Sequence, residues 1–320
     1  VNLSIVIPVY NEVDSLPILH TTIQNAMASM PNLCWEAVLV DDGSSDGSMN
    51  AIQSLARQDP EHVTAVILRR NFGQTAAIAA GIDHASGEVI VLLDADLQND
   101  PADIPMMLEK IEQGYDVVSG WRINRQDTFV TRTLPSHVAN WLISTVTGVH
   151  LHDYGCTLKA YRREVLTGFR LYGEMHRFIP AYAHSVGASM IEMPVHHHAR
   201  KFGRTKYGLN RTIKVILDLF TVKFLLSYAN KPIYLFGGAG LLLILSSLLA
   251  FLFLLGRKIF ASIGILSSPL FQLATMVMIL GVQSILMGLI AELLARTYHE
   301  SQAKPTYTIR TVIREGQAAP

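Results

Sequence analysis

Val89-Ile90-Val91-Leu92-Leu93-Asp94-Ala95-Asp96-Leu97-Gln98 is a short apolar run that ends in two carboxylates one residue apart. An apolar run of this length reads as a strand buried on both faces, the habit of a parallel sheet covered by helices. Side chains alternate along an extended chain, so Asp94 and Asp96 leave the strand end on the same side. They can share one hard divalent cation, whose other positions would be filled by water and diphosphate oxygens.

The same pattern recurs upstream of this run. Leu3–Val9, Trp35–Val40 and Val63–Leu68 read as strands, separated by helical stretches at Ser15–Ala28, Ser48–Gln58 and Thr75–Ala85. Such alternation implies an α/β fold with a mainly parallel sheet and helices on both faces. Ligands of an open α/β sheet lie beyond the carboxyl ends of the strands. There the chain carries Pro8-Val9-Tyr10-Asn11-Glu12, then Asp41-Asp42-Gly43-Ser44-Ser45-Asp46, then Arg69-Arg70-Asn71-Phe72-Gly73-Gln74, then Asp94 to Gln98. Polar and acidic groups converge on one edge. No Gly-x-Gly-x-x-Gly turn follows the first strand and no Walker lysine motif occurs, which disfavours dinucleotide and P-loop chemistry.

Composition places a membrane part downstream. The chain has 320 residues, of which 50% are hydrophobic and only 16% charged, with a mean hydropathy of +0.29. From Ile233 to Leu255 there are 23 uncharged residues and from Leu270 to Ala291 another 22. Each run is long enough, as a helix, for a bilayer core of about 30 Å. Only Gly256 to Pro269 joins them, so they read as a transmembrane hairpin. Lys plus Arg and Asp plus Glu both number 26, so nothing suggests nucleic-acid wrapping. Two cysteines, Cys34 and Cys156, are too few for a disulfide framework or a four-cysteine zinc site and fit a reducing compartment.

Between Arg200 and Lys231 stand eight basic residues against the single acid Asp218. That excess before a span fits the positive-inside rule and anionic lipid heads. Within it, Arg211, Lys214, Asp218 and Thr221 recur at helical spacing while Ile213, Ile216, Leu217, Phe220 and Phe224 cover the rest, as in an amphipathic helix lying on a membrane. Val138 to Val146, with Trp141 and Leu142, is a weaker candidate of the same kind. LSIVIPV lacks the basic flank and length of a signal peptide, so the residues before Ile233 and both termini are expected in the cytoplasm. Arg257 and Lys258 in the joining loop oppose this orientation but are outnumbered. The organisation expected is a globular domain over 1–208, a juxtamembrane helix over 209–231, two spans within 232–296 and a tail over 297–320.

LSIVIPVYNE, VLVDDGSSD, RRNFGQ and VLLDADLQNDP, in this order, resemble the inverting family 2 glycosyltransferases of GT-A, Rossmann-like fold. The resemblance runs on through GWRINRQD, HDYGCTLKAYRREV and HHHARKFGRTKYG to the hairpin. It is greatest to the bacterial polyisoprenyl-phosphate glycosyltransferases, a group that includes undecaprenyl-phosphate 4-deoxy-4-formamido-L-arabinose transferases and relatives of dolichyl-phosphate mannose synthase. It implies a UDP-sugar donor, a polyprenyl (undecaprenyl) phosphate acceptor, a Mg2+ or Mn2+ cofactor, the bacterial inner membrane as location, no nucleic acid and a homo-oligomer such as a tetramer.

The resemblance also implies roles. Pro8, Tyr10, Asn11 and Glu12 would line the nucleotide pocket, with Gly43 and Gly73 admitting the backbone to ribose or phosphate or, for Gly43 as readily, serving an ordinary turn, and Asp41 or Asp42 would accept from the uracil imide N–H. Asp94, Asp96 and Gln98 would hold the metal against the departing nucleoside diphosphate. Asp153 would be the base or an orienting group beside the acceptor. Arg122, Arg125, Arg200, Arg204 and Lys206 would bind the acceptor phosphate, for which guanidinium forks are suited. His196-His197-His198 reads poorly as a metal site, because only His196 and His198 share a strand face. Cys156 reads as a small buried thiol. A processive polysaccharide synthase is a rival reading, disfavoured by two spans and no Gln-x-x-Arg-Trp motif. A non-catalytic membrane scaffold is disfavoured by the intact carboxylate pair. The tail Tyr307 to Ile313 alternates like a strand and could pair with another subunit.

Overall fold

The computed structural model describes residues 2–123, 143–145, 147–166, 171, 175–199, 233–261, 264, 266, 268–301 and 309–313. Arg125, Arg200, Arg204, Lys206, the amphipathic stretch Arg211 to Phe224 and most of Val138 to Val146 lie outside the described residues.

An eight-stranded sheet runs in the order β7-β5-β6-β4-β1-β2-β3-β8. Its strands are β1 (Leu3–Val9), β2 (Trp35–Asp41), β3 (Val63–Leu68), β4 (Val89–Leu92), β5 (Val117–Trp121), β6 (Lys159–Arg162), β7 (Met190–Pro194) and β8 (Ile309–Ile313). The four strands read from apolar runs pair in parallel as β4-β1-β2-β3. β6 inserts antiparallel between β4 and β5, and β7 joins β5 in parallel.

The connecting helices are α1 (Leu16–Met27), α2 (Ser48–Gln58), α3 (Gln74–His84) and α4 (Ile104–Glu112). Strand alternation sorts the core. Leu3, Ile5, Ile7 and Val9 join Leu16, Leu19 and Ile23 of α1, Ile52 of α2 and Met107 of α4 in one apolar cluster. Val6 and Val40 point to the other face, where a Cβ on Gly81 of α3 would collide with Val6, so the glycine lets α3 lie close to the sheet. At the amino-terminal edge the buried Glu36 accepts from Ser4 Oγ at 2.7 Å and from the Ser86 N–H and Oγ, both at 2.6 Å. Arg163 binds the carbonyls of Ala85 and Gly87, so the loop feeding β4 is held from two sides.

β8 lies antiparallel on β3 of the same chain. The alternating tail is therefore used within the chain, where the sequence allowed a partner subunit. By internal packing, 1–222 with 305–320 forms one unit and 223–304 a second.

In the second unit, helices Ile233–Ala261 and Pro269–Ser301 pack against each other as an antiparallel pair. At their closest approach a Cβ on Gly240 would stand 2.6 Å from the Gly281 carbonyl oxygen, which is the small-residue packing typical of membrane helices. Ser247 Oγ donates to the Ala274 carbonyl at 2.7 Å and Ser284 Oγ to the Phe236 carbonyl at 2.8 Å. Tyr234–Phe260 and Pro269–Ala291 have mean hydropathies of 2.5 and 2.2, long and apolar enough to cross a membrane. Leu241, Leu242, Leu252, Phe253 and Met276 all face outward. An apolar exterior on both helices is what a lipid-embedded pair needs and what a water-soluble core helix lacks.

Candidate active site

β1 lies between β2 and β4, so the chain leaves β1 towards one side of the sheet and returns to β4 on the other. The carboxyl ends of β1 and β4 therefore form the switch point where open α/β sheets bind ligands. Tyr10, Asn11 and Glu12 follow β1 there, and Asp94, Asp96 and Gln98 follow β4.

Three loops on the β1-β2-β3 side are latched together. Asn11 sits at φ 54°, a left-handed conformation that asparagine tolerates. Its N–H donates to Ser44 Oγ at 2.9 Å and its Oδ1 accepts from the Ser45 N–H at 2.8 Å. The Glu12 N–H donates to Ser48 Oγ at 2.9 Å, while the Glu12 side chain is buried beside Ser15. Tyr10 stands exposed and Pro8 partly so.

Asp41 and Asp42 differ in their work. The Asp42 carboxylate accepts from the N–H groups of Phe72 at 2.7 Å and Gly73 at 3.0 Å, tying the loop after β3 to the end of β2. Asp41 accepts a longer bond from the Ser44 N–H at 3.3 Å. Burial raises both carboxyls above the ordinary 3.8, against hydrogen bonds that pull the other way. A Cβ on Gly43, which has φ +69°, would meet the Arg70 carbonyl carbon and Asn71 nitrogen at 2.5 Å, whereas one on Gly73 would meet nothing within 4 Å. Gly43 thus serves loop packing, and Gly73 leaves open space at the start of α3.

On the other side of the switch point Asp94, Asp96 and Gln98 are partly exposed and the alternate residues Ala95, Leu97 and Asn99 are buried. The two carboxylates emerge together, as their spacing requires. Asp94 Oδ1 accepts from Gln74 Nε2 at 3.0 Å and its Oδ2 from Thr157 Oγ1 at 2.6 Å. Asp96 Oδ1 accepts from the Gln98 N–H at 3.1 Å, with Leu97 at φ 60° closing the turn. Among the described residues no group of three or more His, Cys, Asp or Glu side chains is assembled for a metal. The hard oxygens of Asp94 and Asp96 fit Mg2+ or Mn2+ that takes its other ligands from a diphosphate and water.

The histidine run lies alongside. The His198 N–H donates to the Gln98 carbonyl at 2.8 Å, His196 Nδ1 pairs with Asp103 at 2.7 Å and His198 Nε2 with Asp100 at 3.0 Å. These contacts moor the chain after β7 to the loop after β4.

Arg122 follows β5 and is locked to Asp153. Its Nε donates to Oδ2 at 2.7 Å and its Nη2 to Oδ1 at 3.0 Å, a two-pronged pair whose carboxylate is buried. Asp153 holds the guanidinium still more firmly protonated than usual, outweighing burial. The Gly155 N–H donates to the same carboxylate at 3.1 Å. Beneath this turn the buried Lys159 donates to the carbonyls of Tyr154 and Cys156, and Tyr154 Oη donates to the Val149 carbonyl at 2.7 Å. Burial pushes the Tyr154 hydroxyl up to about 12 and raises the Cys156 thiol, so neither is a nucleophile at neutral pH.

The carboxylates after β4 and the Arg122–Asp153 pair after β5 are thus each fixed by contacts within the chain, and residues 4–169 match the family model described as glycosyl transferase family 2. The chain belongs to glycosyl transferase family 2. It is 43% identical over 320 residues to dodecaprenyl-phosphate galacturonate synthase of Rhizobium johnstonii, covering 99% of this chain and 94% of that protein. It is 39% identical over 318 residues to undecaprenyl-phosphate 4-deoxy-4-formamido-L-arabinose transferase of Enterobacter sp. (strain 638), covering 99% and 95%. Among solved structures, glucosyl-3-phosphoglycerate synthase from Mycobacterium tuberculosis, in complex with Mn2+ and UDP-glucose, superposes with a TM-score of 0.53 at 17% identity. That match covers 69% of this chain and 78% of that one and identifies the GT-A fold.

Three residues that hold the candidate site's side chains and turn were not singled out from sequence: Gln74, Thr157 and Lys159. Gln74 stood visibly in the loop after β3. Thr157 and Lys159 carried no separate signal, because their places depend on the antiparallel insertion of β6.

Proposed function

We propose that this chain transfers a sugar from a UDP-sugar to the phosphate of a polyprenol of the undecaprenyl class, with inversion at the anomeric carbon. The observation that carries the reading is the Asp94–Asp96 edge at the switch point of a chain whose relatives, matched end to end, are named for polyprenyl-phosphate sugars. In the step proposed, an acceptor phosphate oxygen bonds to the anomeric carbon as the bond from that carbon to the UDP oxygen breaks. The electron pair leaves with UDP.

Pro8, Tyr10, Asn11, Glu12 and Gly73 border the nucleotide, and Asp41, whose bond to the chain is the longer, accepts from the uracil N–H. Asp42 shapes this pocket by holding the Phe72–Gly73 backbone. Asp94 and Asp96, with Gln98 beside them, would hold Mg2+ or Mn2+, which supplies neutralisation of the leaving diphosphate. Arg122 presents positive charge to the acceptor phosphate, in company with Arg125, Arg200, Arg204 and Lys206. Asp153 orients Arg122. Of the base and orienting roles expected for it, the bidentate pair favours orientation, because a carboxylate engaged by a guanidinium is a weak proton acceptor. An acceptor phosphate is already ionised at neutral pH and needs positioning more than deprotonation.

The two apolar helices would span the membrane, with the catalytic unit and both termini on its cytoplasmic face, and the chain would work as a homo-oligomer. The test is incubation of the detergent-solubilised protein with undecaprenyl phosphate and a panel of UDP-sugars, including UDP-galacturonate and UDP-4-deoxy-4-formamido-L-arabinose. Mass spectrometry of the lipid should show one sugar added to the phosphate. A lipid unchanged with every donor, while a control transferase reacts, would contradict the reading.

A further inference from the structure

β4 and β6 run antiparallel with Leu92 opposite Lys159. Continued two residues past the ladder, that register sets Asp94 opposite Thr157, and the Thr157 hydroxyl donates to Asp94 Oδ2 at 2.6 Å. The other oxygen of Asp94 accepts from Gln74 at the start of α3, at 3.0 Å. A carboxylate offers about four acceptor positions, and these two donors, one on each oxygen, fix its plane. Thr157 is itself rigidly placed. It ends the turn whose first residue, Asp153, grips Arg122 and whose Tyr154 and Cys156 carbonyls are held by the buried Lys159. Gly120 on β5 makes room for that turn, since a Cβ there would stand 2.7 Å from the Leu158 carbonyl oxygen and 3.1 Å from Cys156 Sγ.

We infer that Thr157 is a positioning residue for the donor site: its hydroxyl, with Gln74, sets the Asp94 carboxylate in the orientation that a diphosphate-bound divalent cation takes. This inference rests on the donor-site reading above. The partners that orient a ligating carboxylate govern metal affinity nearly as strongly as the ligand itself, and their loss costs about 10–100-fold. The same turn carries Asp153 at one end and Thr157 at the other, so the acceptor-side guanidinium and the donor-side carboxylate are set by one piece of backbone.

The experiment is titration of Mn2+ into the full-length protein in the presence of UDP, followed by the loss of free-Mn2+ electron paramagnetic resonance signal. Thr157→Val, which keeps the shape and removes the hydroxyl, should raise the Mn2+ dissociation constant by about 10–100-fold, and Thr157→Ser should restore it nearly to native. Thermal melting confirms that the variants fold. Gln74→Met removes the other donor and is expected to weaken Mn2+ in the same way, giving a second route if Thr157→Val does not fold. Native Mn2+ affinity in Thr157→Val overturns the inference while leaving the donor site standing. Equal weakening in Thr157→Val and Thr157→Ser also overturns it, because the hydroxyl then has no special part. A native protein that retains no Mn2+ in the presence of UDP overturns the donor-site reading, and the inference with it.

Discussion

The two acidic regions of the site are built in opposite ways. Asp94 and Asp96 emerge partly exposed from the end of β4, and among their partners are the neutral donors Gln74, Thr157 and the Gln98 backbone. Asp153 is buried and spends both oxygens on Arg122. The first arrangement sets carboxylates at an accessible strand end, where an incoming cation can reach them. The second uses negative charge to fix a cation that is already part of the chain. Proximity to a substrate therefore does not make a carboxylate a chemical participant; what its oxygens are already doing decides.

The largest effect should fall on the exposed pair. Asp94→Asn or Asp96→Asn is expected to lower sugar transfer by at least about 10²-fold, the scale of losing an electrostatic group aimed at developing charge. Stability should barely change, since a partly exposed strand-end carboxylate contributes little packing. A chelator should reproduce the activity loss in the native protein. Full transfer in Asp96→Asn would remove that residue from the metal site.

Asp153→Ala should show the reverse balance. Leaving the half-buried Arg122 guanidinium without its partner should lower stability by less than the ~3–5 kcal/mol of breaking a fully buried pair, read in denaturant unfolding of the detergent-solubilised protein. Mn2+ and UDP should still bind while the acceptor KM rises. Loss of UDP binding with stability intact would break the contrast between the two regions.

A smaller effect separates Asp41 from Asp42. Burial raises Asp41 above 3.8, and its ionised form accepts from uracil far more strongly than the neutral acid, so UDP affinity should fall as pH drops through that raised value, before an ordinary aspartate would protonate. The same shift has a definite sign in stability: its contribution is complete below 3.8 and lost as pH rises through the raised value. Asp41→Asn should flatten the acidic fall in UDP affinity. An unchanged pH response would move the nucleobase contact elsewhere.

The smallest effect tests the glycines of the same pocket. Gly73→Ala meets open space and should cost only its positive-φ extended backbone, about 1–3 kcal/mol. Gly43→Ala adds a collision with the Arg70–Asn71 backbone and should cost more. Equal losses in paired unfolding measurements would show that the collision is relieved by loop movement.

What the sequence showed follows from the range of the interactions involved. β1 to β4 were legible to within a residue or two, because strands buried on both faces are uninterrupted apolar runs. β6 was not, since Lys159-Ala160-Tyr161-Arg162 has the composition of a surface segment and its lysine is buried only because two carbonyls receive it. Asp94 and Asp96 could be found together because one residue separates them. The pairing of Arg122 with Asp153, 31 residues apart, and of Thr157 with Asp94, 63 apart, depends on strand order and register, which local pattern does not encode. The tail's alternation revealed a strand, but an edge strand's pattern is the same whether its partner is this chain's β3 or a neighbour.

The contrast between the two regions turns most directly on the pH dependence of kcat/KM in Asp153→Asn, a variant of the same shape that cannot take a proton. With Asp153 as an orienting group, the rate should drop but the acidic limb should persist, set by the acceptor's own second phosphate ionisation near pH 6. Disappearance of that limb, with the remaining rate independent of pH, would show that Asp153 is the base and that its pairing with Arg122 opens during the reaction.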